Sequence, residues 1–292
     1  MLSRRRALLC PIAAAFTGCS RAPKVTASSK ESVEASILSE IASQLLEKKL
    51  QAKVQRNFAF GGSGLLLQSL QNGEVDIYPE YSRIAYKVLL KTNEPIDEAM
   101  STDKLVEGFA TSLQAVWLPP LGFQNTHTAV VRADDARFDN IQNLSAASEN
   151  KAGWRLGCTS EFAQSPEGYS ELKAAYRLSE KVGPHFEPVN QLYLGLGGQT
   201  IDILITGSTD PRLKNPKYKV LSDDKNAFSP NRASLILRQS TSQKYPELAP
   251  TLRLLSGKID NQTMQGLNAG AELEKRGFAE IAREWLAKVG LA

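Results

Sequence analysis

The chain has 292 residues, of which 42% are hydrophobic and 23% are charged, and its formal net charge is +4. This length fits one large or two medium domains, and the composition is ordinary for a globular protein. The basic residues are spread out and form no stripe with aromatics, which argues against nucleic-acid binding. After the N-terminus, no apolar run reaches the ~18 residues that a membrane-spanning helix needs.

The first 19 residues have the pattern of a signal peptide. Arg4, Arg5 and Arg6 precede a short apolar segment at 7–16. Small residues then lead to Cys19, as in a bacterial lipobox, where the cysteine is lipidated after cleavage. The alternatives are an ordinary signal peptide with a chance cysteine and, from the paired arginines, twin-arginine export. We predict a signal peptide with a lipobox at 1–19 and a tether at 20–23.

The remaining cysteines allow no disulfide in the mature body. Cys10 lies in the segment that would be removed, and Cys158 is then the single cysteine of the body. The predicted fold must therefore be held by its core alone, which a chain of this length can supply.

Strand and helix patterns alternate along the chain. The spacing of apolar residues predicts strands at 24–28, 53–58, 75–78, 128–132, 155–158, 185–188, 201–205, 218–221 and 233–237. It predicts helices at 31–49, 65–70, 84–90, 103–115, 166–176, 242–255, 261–268 and 278–289. This alternation is typical of parallel α/β sheets.

Two connections, at 122–128 and 226–232, have the pattern of crossovers between lobes. If the chain crosses twice, 24–124 and 231–292 form lobe 1 and 125–230 form lobe 2. Strand ends from both lobes would then flank a cleft that hinge motion can close on a ligand.

The stretch from Phe60 to Ser82 contains the candidate ligand contacts of lobe 1. Gly61–Gly64 could bind a ligand through backbone N–H groups at a helix start, although a tight turn is the plainer alternative. The segment lacks the lysine of a P-loop. A strand is predicted to stop at Pro79, and Tyr81 behind it is a candidate for cation–π contact with a cationic ligand.

The other polar candidates show no catalytic or metal-binding pattern. Four carboxylates near strand ends have no supporting motif and are more simply caps: Asp76, Glu80, Asp202 and Asp210. The two histidines, His127 and His185, form no metal spacing with Cys158, and no nucleophile elbow is present. We predict no catalytic residue, no metal and no cofactor. His127 lies on the first crossover, where a pocket contact and a structural role are equally open.

Several motifs resemble one known family. They are Gly61-Gly62-Ser63, the run Asn72–Tyr81, the segment Trp117–Phe123 with Asn125-Thr126, and Ser208-Thr209-Asp210. Together they are similar to the substrate-binding proteins of ABC importers for glycine betaine, choline and related osmoprotectants, the quaternary-amine uptake type. The resemblance runs from residue 24 to 292. It implies an α/β, two-lobed periplasmic-binding-protein fold, type II-like, with two crossovers between the lobes.

The resemblance also implies ligand contacts. Family members that bind trimethylammonium compounds use a cage of tyrosines, and only Tyr81 matches it directly. His127, Gly207 and Asn231 stand where other cage tyrosines are expected. Lys30 matches a lysine near the ligand's carboxylate, and Ser165 replaces a basic residue. The predicted ligand-binding set is Lys30, Gly62, Ser63, Tyr81, His127, Ser165, Gly207 and Asn231.

The implied function is solute capture without chemistry. The chain would be a periplasmic, monomeric protein, anchored through lipid on Cys19, that delivers a small solute to ABC permease subunits. The incomplete cage suggests a more polar or larger solute than glycine betaine. Two alternatives stay open on the same fold: a hydrolase that uses Glu80 or His127, and a sensory module that presents its ligand to a receptor.

Overall fold

The computed structural model describes residues 22–92, 98–150, 152–165, 168–177 and 180–292. The predicted signal peptide with Cys19 and the start of the predicted helix at 166 lie outside these residues.

In the part of the chain that the structure describes, ten strands form two five-stranded sheets. The first sheet has the order β2-β1-β3-β10-β4. Its strands are β1 (Lys24–Ser28), β2 (Lys53–Asn57), β3 (Ile77–Tyr81), β4 (Ala115–Trp117) and β10 (Ala233–Arg238). The second sheet has the order β7-β6-β8-β5-β9. Its strands are β5 (His127–Arg132), β6 (Trp154–Cys158), β7 (Glu180–Phe186), β8 (Ile203–Gly207) and β9 (Tyr218–Leu221).

Both sheets are mixed, so the expectation of parallel sheets is wrong. Strand β10 runs antiparallel to β3 and β4, and β5 runs antiparallel to β8 and β9. Strands β5 and β10 each follow a connection from the other sheet. Each therefore enters its sheet at the edge where the strands that lead into helices end, and it runs opposite to those strands.

The chain passes between the sheets twice, after Trp117 and after Leu221. The two connections are joined by an antiparallel bridge between Gln124 and Arg232. Beside it, the Asn125 N–H donates to the Asn231 carbonyl at 2.9 Å, and Asn231 Nδ2 donates to the Asn125 carbonyl at 2.8 Å. Paired connections between two lobes can act as a hinge, and they are called the hinge below. The limits of the lobes given above stay a prediction.

Strand β3 continues through Pro79, whereas the sequence analysis ended it there. Pro79 stands opposite Leu235 of β10. The Leu235 carbonyl accepts from the Leu118 N–H at 3.0 Å, so this backbone unit points toward β4. The missing N–H of Pro79 thus points away from β10. On its other side the register pairs β1 with β3 only through Ala27 and Ile77, so no ladder bond is lost.

Twelve α-helices lie within the described residues and cover the sheets. They are α1 (Val33–Leu50), α2 (Ser63–Asn72), α3 (Ser82–Ile84), α4 (Glu98–Ser112), α5 (Leu144–Ser148), α6 (Ser160–Gln164), α7 (Tyr169–Tyr176), α8 (Val189–Gly197), α9 (Gln239–Lys244), α10 (Leu248–Leu252), α11 (Asn261–Glu272) and α12 (Phe278–Lys288). A π-helical turn, Ala85–Leu89, follows α3, and 3-10 turns lie at Ala136–Phe138, Pro211–Lys214 and Arg253–Leu255.

Helix α1 organises the larger core of the first lobe. It begins at a Ser32 cap, whose hydroxyl accepts the Ala35 N–H at 3.2 Å. The apolar residues Ile37, Leu38 and Ile41 lie at helical spacing and are almost fully buried. They pack with β3, β10, α11 and α12 in one continuous cluster.

Candidate functional site

The ends of β1 and β3 bring three of the polar candidates together. The Lys30 ammonium is ion-paired with the Glu80 carboxylate, which is fully buried. The same Glu80 oxygen accepts the Tyr81 N–H at 2.7 Å. The Lys30 nitrogen also lies 4.9 Å from the centroid of the Tyr81 ring. An ammonium group of the protein itself thus lies over the Tyr81 ring, within the distance of a cation–π contact.

The phenol of Tyr81 points into the first lobe. It donates to Glu34 Oε1 at 2.5 Å, and only 6% of Tyr81 is exposed. Burial, together with the negative charge of Glu34, raises the pKa of Tyr81 well above its ordinary value. The hydroxyl is thus a permanent donor near neutral pH, and the side chain has a fixed orientation.

Sequence reasoning missed Glu34, although a signal was present. Glu34 stands three, four and seven positions before the buried residues Ile37, Leu38 and Ile41. A carboxylate on the apolar face of a helix must find buried partners, because an unpaired buried charge is costly.

His127 belongs to an aromatic cluster at the start of β5. Its ring centroid lies 4.5 Å from that of Phe162 and 5.9 Å from that of Phe228. Burial, with a contribution from the positive charge of Arg83, lowers the pKa of His127 to about 4. His127 is therefore neutral at physiological pH and can both donate and accept a hydrogen bond. The sequence analysis did not place Phe162 or Phe228 in the site.

Gly207 faces His127 across the β5–β8 ladder. A Cβ built on Gly207 would have Asn125 Oδ1, at 3.9 Å, as its nearest neighbour. Open space thus stands where the resemblance expects a tyrosine.

Asn231 is held by backbone groups of α3 and of the first crossover. Its Oδ1 accepts the Arg83 N–H at 3.1 Å and its Nδ2 donates to the Asn125 carbonyl. Both functions of the amide are therefore used within the protein, and its role as a ligand contact stays a prediction.

The remaining predicted contacts lie on helix ends. Gly62 is exposed and caps α2, and Ser63 is its first residue. Ser165 ends α6, and its N–H bonds to the carbonyls of Glu161 and Phe162. Lys30 and Tyr81 are thus in direct contact. Among the described residues, no hydrogen bond or ion pair links Gly62, Ser63 or Ser165 to them. Ligand binding by all eight residues stays a prediction.

The other carboxylates have structural partners. Asp76 accepts the Thr26 N–H at 2.8 Å and pairs with Arg238. Asp202 is bound by Arg155 and Arg137. Burial alone would raise the pKa of Asp202, but the hydrogen bonds from these arginines lower it below its usual range.

Asp210 and Cys158 are likewise held within the fold. Asp210 caps the 3-10 turn by accepting the Arg212 N–H at 2.8 Å. Cys158 is buried, and burial raises its pKa to about 11, which disfavours the reactive thiolate. Within the described ranges, no group of three or more histidine, cysteine and acidic residues is placed to hold a metal ion.

The double crossover, the two mixed sheets and the residues gathered at the crossovers define a two-lobed solute-binding protein of the periplasmic type. Across the part of the chain that the structure describes, no helix is both long and apolar enough to cross a membrane. The family model for the substrate binding domain of the ABC-type glycine betaine transport system matches residues 23–288. The chain belongs to this family, whose members bind solutes and are not enzymes, so nothing supports the hydrolase alternative.

Relatives with known roles agree with this assignment. The ergothioneine transport permease/ergothioneine binding protein EgtU of Helicobacter pylori strain G27 is 30% identical over 263 residues, which are 90% of this chain and 47% of that protein. The chain thus spans about half the length of this relative. The carnitine transport binding protein OpuCC of Listeria monocytogenes strain 10403S is 28% identical and aligns over 87% of this chain and 83% of its own.

A solved structure confirms the predicted fold class. It is a crystal structure of a glycine betaine/carnitine/choline ABC transporter, superposed with a TM-score of 0.81 at 27% identity. The superposition covers 92% of this chain and 99% of the other.

Proposed function

We propose that this chain captures a small carboxylate-bearing solute, more polar or larger than glycine betaine, and delivers it to the permease of an ABC importer. The observation that carries this proposal is the Lys30 ammonium over the Tyr81 ring. A solute that offers only a quaternary ammonium group must displace Lys30 from both Tyr81 and Glu80. A solute that offers a carboxylate can instead bind the ammonium where it stands.

The residues that the second sheet contributes, His127 and Gly207, support the same solute class. Neutral His127 is a hydrogen-bonding group backed by Phe162 and Phe228, and Gly207 leaves room beside it. With fewer tyrosines a trimethylammonium group is held less tightly, because each desolvated cation–π contact contributes about 2 kcal/mol, so the solute must gain its affinity from its carboxylate and its other polar groups. The relatives named for carnitine and ergothioneine make larger zwitterions of this kind the first candidates.

The proposed cellular role goes further than the solute-binding role of the family. We propose an extracytoplasmic protein that acts as a monomer and is held at a membrane by lipid on Cys19, after a signal peptide at 1–19. The alternative is a sensory module that presents the same bound solute to a receptor. Uptake of labelled solute into vesicles that contain the cognate permease would favour transport. Solute binding without any permease-dependent uptake would favour sensing.

The solute class can be tested by thermal shift and isothermal titration with choline, glycine betaine, carnitine and ergothioneine. A ligand present at 100 times its Kd adds about 2.7 kcal/mol of stability. We expect carnitine or ergothioneine to raise the Tm clearly and choline to leave it unchanged. Tight choline binding, with no response to any carboxylate-bearing solute, would contradict the proposal.

A further inference from the structure

Glu34 accepts hydrogen bonds from three separate parts of the chain. The Tyr81 hydroxyl of β3 reaches its Oε1 at 2.5 Å. Asn125 Nδ2, on the first crossover, reaches the same oxygen at 2.8 Å. Asn268 Nδ2, on α11, reaches Oε2 at 3.1 Å. Glu34 itself is 5% exposed, so these bonds form in a largely dry environment, where they are strong.

The third donor connects Glu34 to the second lobe. The same Asn268 nitrogen also lies 3.1 Å from the carbonyl of Thr209, which follows β8. Asn268 Oδ1 is buried and has no hydrogen-bond partner within the described residues. An unsatisfied buried oxygen costs free energy. The hydrogen bonds that Asn268 Nδ2 donates must therefore compensate for this cost and hold the amide in its orientation.

Helix α11 contacts the second lobe through a row of amides. Asn261 and Gln265 precede Asn268 by seven and three positions, which places them on one side of the helix. Asn261 Nδ2 lies 3.3 Å from Ser208 Oγ, and Gln265 Nε2 donates to the Ser208 carbonyl at 2.9 Å. Any hinge motion that moves Ser208 and Thr209 must therefore change these bonds.

We propose that Glu34 is a positioning residue that couples the orientation of the Tyr81 ring to the closure of the two lobes. Its carboxylate accepts hydrogen bonds from Tyr81, from Asn125 on the first crossover and from Asn268 on α11, the helix that contacts the second lobe. When the hinge moves Asn125 and Thr209 relative to α1 and α11, the bonds that Asn125 and Asn268 donate to the carboxylate change, and the phenol shifts with the carboxylate. The effect on solute binding rests on the proposed function, whereas the coupling between the lobes does not.

The test compares Glu34→Gln with Glu40→Gln. Glu40 lies on the same helix, is 3% exposed and pairs with Arg56 at 2.7 Å within the first lobe. Both variants remove one buried carboxylate from α1, but only Glu34 contacts the crossover and α11. Spin labels on an exposed site of each lobe report the distance distribution between the lobes without any solute.

We expect Glu34→Gln to broaden or shift this distribution, while Glu40→Gln leaves it as in the wild type. Solute affinity should fall about tenfold for Glu34→Gln, in line with one weakened charged hydrogen bond. Tyr81→Phe keeps the ring but removes the donor. We expect its effect and that of Glu34→Gln to be non-additive in a double-mutant cycle.

The outcomes separate this proposal from the function. A wild-type distance distribution in Glu34→Gln would overturn the coupling, whether or not the variant is less stable. An altered distribution in a protein that binds none of the tested solutes would keep the coupling and reject the proposed solute class. Strict additivity of Glu34→Gln and Tyr81→Phe would also overturn the role of Glu34 in orienting the ring.

Discussion

Replacement of Lys30 by methionine tests the central contact of the site. The change removes the ammonium but keeps a side chain of similar length. Glu80 is fully buried and would retain the Tyr81 N–H at 2.7 Å as its one remaining donor among the contacts described. Breaking a buried ion pair by removing one partner costs about 3–5 kcal/mol. Because 17% of the Lys30 side chain is exposed, we expect the lower end, about 3 kcal/mol.

The loss can be measured by urea unfolding with circular dichroism and by thermal melting. For a chain of this size, about 3 kcal/mol corresponds to a fall in Tm of roughly 6–12 °C. Lys49→Met, at the exposed end of α1, is the control and should stay within about 0.5 kcal/mol of the wild type. The double variant Lys30→Met with Glu80→Gln should recover much of the loss, because no buried charge is left unpaired.

The same variant makes a prediction about binding. Without the ammonium, the Tyr81 ring is free to accept a ligand cation, so choline affinity should rise while affinity for carboxylate-bearing solutes falls. Stability of Lys30→Met equal to that of Lys49→Met would refute the reasoning about the ion pair. Unchanged preference between choline and carboxylate-bearing solutes would refute the reasoning about the ring.

Three further perturbations have defined outcomes. The pKa of His127 is about 4 in the folded protein and about 6.5 in the unfolded chain. Its contribution to folding stability is therefore complete above pH 6.5 and is lost as the pH falls toward 4. His127→Gln should therefore remove up to about 3 kcal/mol of the stability difference between pH 7 and pH 4, and equal pH profiles would contradict the burial argument. Gly122 has a φ of +126°, and a Cβ there would lie 2.8 Å from the Ile259 carbonyl, so Gly122→Ala should cost about 1–3 kcal/mol in urea unfolding. Gly64→Ala, in open space on α2, should instead stabilise by about 0.5–1 kcal/mol, and similar effects of the two would contradict this reasoning. Gly207→Tyr should fit without loss of stability and strengthen glycine betaine binding about 10- to 30-fold by titration calorimetry, whereas unchanged affinity would show that Gly207 lies outside the pocket.

Local sequence patterns predicted many of the strands and helices. The spacing of apolar residues predicted β1, α1 and β9 closely, because each has a clear period and an evident end. The helix predicted at 242–255 is instead α9, α10 and a 3-10 turn, since breaks at Tyr245 and Pro246 do not show in apolar spacing. Strand β4 was missed because it is only three residues long and owes its existence to pairing with β10.

The motifs between 60 and 82, together with those at 117–126 and 208–210, pointed to the family without any structure. They could not show what each side chain contacts, since this depends on residues far apart in the chain. Lys30 and Tyr81 were both predicted as ligand contacts, but the sequence did not show that the Lys30 ammonium, 51 residues earlier in the chain, lies over the Tyr81 ring. It also did not show that Glu34 accepts the hydrogen bond of the phenol.

The sequence by itself thus determined the scaffold, because helix and strand periods and short motifs are local properties. Only the tertiary structure decided that the Lys30 ammonium lies over the Tyr81 ring, that Pro79 can remain inside a strand and that the Asn231 amide bonds to backbone groups. Each of these depends on which groups are left to pair once the two sheets and the crossovers are assembled, and the chain order does not reveal those partners.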